Sequence, residues 1–172
     1  MKLTIIITAA LLLAACGKRE PSYLPRPPVT QTLTHKAYYY IGLNEQRDRV
    51  LIKEIMGIDP VITEWCAAFI NMILFENDLP MSSTVSPYPL TARSFLEWGT
   101  EVKEPTKGDI IVFRRGEPWQ GHVGFYVSTT TDQNGVEYYN ILGGNQGNAV
   151  SIDPYAISRV VSIRRRAVLG PA

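Results

Sequence analysis

The apolar residues of this chain change their period once, near Gly99, and that change restricts the fold more than any other feature. Before it the spacing is helical. In "EQRDRVLIKEIM" (45–56), Val50, Leu51, Ile55 and Met56 recur at helix-like intervals, and Gly57 stands where a helix stops. "WCAAFINMILFEN" carries a stripe of Phe69, Ile70, Ile73 and Leu74, with Cys66 in the first turn, Thr63 placed to cap it and an end near Asn77. "DLPMSSTVSPYP" is too dense in Ser and Pro for a regular element, and "LTARSFLEWG" predicts a short third helix halted at Gly99. After Gly99 the period is two. "GDIIVFRR" is a buried strand entered by a Gly-Asp turn fixed by Asp109. "HVGFYVS" sets His122, Gly124 and Tyr126 on one face and Val123, Phe125 and Val127 on the other. An Asn134-Gly135 hairpin turn feeds "VEYYNILG", and "NAVSIDP" and "SRVVSIRR" supply two more strands. Helices followed by an antiparallel meander predict an α+β fold, with N-terminal helices packed on a small antiparallel sheet.

The chain opens with "MKLTIIITAALLLAAC": a basic Lys2, an apolar run from Leu3 to Leu13, then small residues. This is the pattern of a secretory signal, too short to span a bilayer. "LAAC" followed by Gly17 resembles the bacterial lipobox, which implies cleavage after residue 15 and a lipid on Cys16. Gly17 rather than Asp points to the outer membrane, facing the periplasm, if the cell is Gram-negative. Residues 16–36 are rich in Pro and polar residues without an apolar period, and are predicted to be an extended tether; the domain is expected over 37–168. His35, at that boundary, is expected on the surface. Losing residues 1–15 removes one charge, Lys2, and leaves 16 basic and 16 acidic side chains. Nothing in that balance suggests a nucleic-acid partner. The three arginines of "SIRRRAV" are expected to be a solvated edge. A monomer is expected.

With Cys16 lipidated, Cys66 has no partner in its own chain, and an unpaired cysteine in an exported protein suggests a reactive thiol or an intermolecular bridge, with a buried inert cysteine as the alternative. At a helix N-terminus the unpaired N–H groups and the dipole favour a thiolate, and the same N–H groups suit an oxyanion. Ala67 and Ala68 keep that turn thin. The chain has two histidines, and His122, flanked by Gly121 and Gly124, is expected to approach the Cys66 helix closely. A Cys–His pair needs a third group to hold the far ring nitrogen. "YYNILGGNQGN" offers Asn145 first, Gln146 next and Asn140 last. Trp119 and Gln120, just before His122, and Gln146 are candidates to line a substrate groove, and Glu64 adds charge to it. Trp65, Trp98 and the Tyr38–Tyr40 run are expected to be packing.

Four ordered blocks, "WCAAFIN", "GDIIVFRRG", "GHVGFYV" and "ILGGNQ", are similar to bacterial and phage cell-wall hydrolases of the papain-like NlpC and CHAP superfamily, especially a TIGR-type subfamily. The likeness covers roughly residues 40–166. It implies a papain-like fold with Cys66 as nucleophile, His122 as base and then acid, and Asn145 near the third position. The implied substrate is the peptide portion of peptidoglycan, with no cofactor. Many NlpC relatives have Asp-Cys-Ser-Gly at the nucleophile; Trp65-Cys66-Ala67-Ala68 is closer to the CHAP branch. No acidic calcium loop and no tetrahedral zinc set is expected. A catalytically inactive wall-binding lipoprotein and an acyltransferase are the alternatives on the same fold.

Overall fold

The computed structural model of the protein describes residues 29–167. The expected signal at 1–15, the lipidation site Cys16 and residues 17–28 of the expected tether lie outside the described residues.

The described chain begins with helix α1 (Val29–Tyr38). The sequence predicts an extended tether up to residue 36, yet Leu33 and Ala37, one turn apart, are both buried in the core. Prolines up to Pro28 dominate that window, and helix begins at the first residue beyond them. His35 is exposed. Helix α2 (Arg49–Met56) ends at Gly57, whose φ of 68° is left-handed and whose N–H bonds to Lys53 O. Its buried face is one residue away from the predicted stripe: Ile52 is in the core with Ile55 and Met56 against it, while Val50 is 80% exposed.

Helix α3 (Cys66–Phe75) is buried on every side from Cys66 to Leu74, so its sequence carries no true stripe. Trp65, not Thr63, precedes its first turn, and no side chain caps it. The fully buried Trp65 fixes that start by donating its indole N–H to Glu45 Oε2 at 3.1 Å. The segment after α3 is tied back through Asn71, which donates to Ser82 Oγ (3.0 Å) and Pro89 O (2.9 Å). The predicted third helix is a 3-10 turn, Ala92–Phe95. Trp98 is buried as expected, donating to Pro80 O, but within the tyrosine run Tyr39 is exposed.

The sheet has six antiparallel strands: β1 (Thr100–Val102), β2 (Ile110–Arg114), β3 (Gly121–Thr131), β4 (Glu137–Gln146), β5 (Ala149–Ala156) and β6 (Val160–Arg165). Their order, β1-β6-β2-β3-β4-β5, is a meander from β2 to β5 with the last strand returned to the far edge of β2. The β3–β4 turn is built on Asp132, whose Oδ1 accepts from Asn134 N and Val136 N, with Gly135 at φ 79°. Val123 and Phe125 face the helices, with Val127 packed against them, while Tyr126 faces a second, smaller cluster around Ile111, Phe113, Tyr139, Ile141 and Ile163. This matches the alternation read from the sequence.

The C-terminal arginines are not a solvated edge. Arg164 is buried and donates to Trp98 O at 2.8 Å, and Arg165 Nη2 pairs with the buried Asp109 at 2.7 Å. Asp109 also accepts from Thr106 N at 2.7 Å, which fixes the Gly108-Asp109 turn. Among the described residues no helix is long and apolar enough to cross a membrane.

Candidate active site

Strands β3 and β4 pair from Thr131↔Glu137 down to Phe125↔Leu142, and the β4–β5 register then slips between Gly143 and Gln146. The first turn of α3 packs where the two strands part. Gly144 makes this possible: a Cβ there would lie 2.7 Å from both Phe69 Cβ and the Trp65 ring. The sequence reading gives this close approach to Gly121 and Gly124 instead. Their missing side chains make room for other neighbours, Phe113 O and Ala92 at Gly121 and Ile141 at Gly124.

Cys66 heads α3 as a buried, unpaired thiol. The backbone N–H groups of Val123 and Ala67 both reach its sulfur, so the thiol sits at the amide next in the chain to His122. Burial nevertheless dominates and pushes the thiol up to about 11, with Glu64 adding to the rise and the two N–H groups and Arg115 opposing it. The thiolate expected from the helix terminus is therefore not the resting form. Desolvation of a charged sulfur outweighs the two N–H groups.

His122 is also buried, and its Nε2 lies 2.9 Å from Gln146 Oε1. The amide of Gln146 is oriented by its own partners: Nε2 donates to Ile141 O (3.1 Å) and Ser151 O (2.9 Å). Its Oε1 must then accept, so His122 carries its proton on Nε2 and presents Nδ1 as the basic nitrogen. The face of the ring stacks on Tyr155 at 4.8 Å and 9° between planes, and Tyr155 in turn lies against Phe113. Burial pulls the imidazole down to about 4, against a smaller upward effect of Gln146. Both partners of the pair are thus neutral at rest.

The side chain that holds the imidazole is Gln146 rather than Asn145. A regular strand would put Gly143 and Asn145 on one face, but Asn145 is left-handed at φ 57° within the irregularity. The extra residue reverses parity. Gly143 and Gln146 share the face of His122: a Cβ on Gly143 would lie 2.9 Å from Gln146 Oε1 and 3.4 Å from His122 Nε2. Asn145 turns its amide outward to Glu64 Oε2 at 2.7 Å. Asn140, the remaining alternative, donates to Ser128 Oγ higher on the strand.

Two openings meet at this place. A groove of about 590 Å³ is lined by Cys66, Glu64, Arg115, Trp119, Gln120 and Gly121, among others. A smaller pocket of about 260 Å³ is lined by His122, Gln146, Asn145, Tyr155, Asp153 and Arg159 and also by Arg115. Trp119, 72% exposed, and Gln120 therefore do share a groove with the thiol, although Gln120 Oε1 is engaged by Glu117 N at 2.9 Å. Gln146 is buried beside the imidazole and orients it instead of lining the thiol's groove. Among the described residues no hydrogen bond joins the sulfur to the imidazole. Catalytic contacts of this kind commonly tighten only when substrate is bound.

Sequence reasoning missed Tyr155, Arg115 and Arg159. Arg115 left a signal: it follows Arg114, which pairs with Gly121 next to His122. Tyr155 left none, since its place depends on β5 bringing its ring onto the face of the imidazole. No family model matches the chain, and no curated protein matches it in sequence.

Proposed function

We propose that this protein is a papain-like cysteine hydrolase that cuts an amide bond in the peptide portion of peptidoglycan, tethered through a lipid on Cys16 to the outer membrane on its periplasmic side. The observation that carries the reading is the Cys66 sulfur held at the amide next to a histidine whose tautomer is fixed with Nδ1 as the base. The resemblance of the four sequence blocks supplies the substrate class. When a carbonyl docks over Cys66, the thiol proton passes to His122 Nδ1 and the sulfur attacks. The uncapped N–H groups of the first turn of α3 face the developing oxyanion. The imidazolium protonates the leaving amine; water then attacks the thioester with His122 again as base, the C–S bond breaks to release the acid, and the proton returns from the imidazolium to the Cys66 sulfur. Gln146 Oε1 accepts the hydrogen bond from Nε2–H throughout and adds no charge.

In this reading Cys66→Ala and His122→Ala each abolish release of soluble muropeptides from purified sacculi, followed by mass spectrometry. Release at the wild-type rate by Cys66→Ala would falsify it. Two observations favour a second reading, a wall-binding lipoprotein with a sluggish site: the thiol is raised to about 11, and among the described residues it has no hydrogen bond to the imidazole. That reading requires wild-type protein to sediment with sacculi and leave them intact.

A further inference from the structure

Glu64 places a carboxylate at the junction of the two openings. It accepts from Asn145 Nδ2 at 2.7 Å and faces Arg115 Nη1 at 3.4 Å. We propose that Arg115 and Asn145 form a subsite for a free carboxylate on the substrate peptide, occupied at rest by the carboxylate of Glu64. The inference rests on the peptide-hydrolase reading for the identity of the substrate.

Four observations carry it. Arg115 lines both the groove of the thiol and the pocket of the imidazole, so an anion held there sits beside the scissile bond. The resting pair is easily exchanged: the Glu64 and Arg115 side chains are 72% and 54% exposed, and exposed ion pairs are weak. Charge favours replacement by an anion, because withdrawal of Glu64 leaves Arg115 and Arg159 facing Asp153 alone in the smaller pocket. The donor set is also right for a carboxylate: a guanidinium from the residue just after β2 and a primary amide from β4, converging on one. Asn145 holds its amide there through its left-handed backbone, which asparagine tolerates better than most residues.

The test is binding to full-length Cys66→Ala protein by calorimetry. The probes are two synthetic peptides of stem composition that differ only in a free or an amidated carboxyl at glutamate. The free acid is expected to bind about tenfold more tightly. Glu64→Gln widens this gap and Arg115→Gln closes it. Equal affinity for the two peptides, binding of neither, or a preference that survives Arg115→Gln overturns the subsite. A preference that persists while wild-type protein leaves sacculi intact upholds the subsite and removes the hydrolase reading.

Discussion

Gln146 and Asn145 differ by one position, and the fold gives them different work. Gln146 is locked by Ile141 O and Ser151 O behind the imidazole, while Asn145 looks outward to Glu64. Their substitutions should therefore separate in kinetics. Gln146→Ala frees the ring to rotate and loses the Nδ1-basic tautomer, and is expected to lower kcat for muropeptide release on the order of 10²-fold, with KM little changed. Asn145→Ala should act mainly on KM. Steady-state rates on soluble stem peptides distinguish the two, and the opposite pattern would return the orienting role to Asn145. At this scale the sequence disclosed the rare residue types. Two cysteines and two histidines leave few pairings, and the Cys66 sulfur lies at the amide next in the chain to His122. It did not disclose the partner, because an irregularity that reverses strand parity leaves no mark in composition.

Helix α3 is the element on which the site depends, and its position is set by what Gly144 lacks. Gly144→Ala would place a Cβ 2.7 Å from Phe69 and Trp65, both fully buried and unable to yield without moving the helix. The expected cost is about 1–3 kcal/mol in urea unfolding, together with a loss of muropeptide release larger than the stability change accounts for. An alanine variant with wild-type stability and activity would show that the wedge is loose. Element by element, the sequence is a good guide where a segment is long and periodic: α3, β2 and β3 fall where their patterns put them. It fails for α1, hidden behind prolines, and for β1, whose three residues, two exposed and one half-buried, are too few to show alternation. It also fails for the cap on α3, where the fit of Trp65 against Glu45 replaces local chemistry with packing.

For the molecule as a whole, burying two ionisable groups in neutral form ties stability to pH from both sides. His122 titrates at about 4 when folded against its usual 6.5, so between those values the unfolded chain binds the extra proton. The stabilisation is complete above pH 6.5 and is lost as pH falls towards 4, by roughly 3 kcal/mol. Cys66 acts oppositely: raised to about 11 from 9.0, it keeps a proton that the unfolded chain releases, and stability declines as pH rises through that window. Urea midpoints measured at pH 7, 5.5 and 4.5 should fall, and His122→Asn should flatten that slope. An unchanged slope in the variant would mean that other groups govern acid sensitivity.

The place of β6 has a consequence for how the protein is made. It is the last of the six strands to leave the ribosome, yet it lies between β1 and β2 and is clamped there by Arg164 and Arg165. Until residue 165 has been synthesised, β2, the neighbour that braces the strand of His122, has one bare edge, and Asp109 lacks its counter-ion. A nascent chain cannot complete this sheet from its beginning, so the end that carries His122 gains a finished support only once β6 has emerged and threaded between two strands already made.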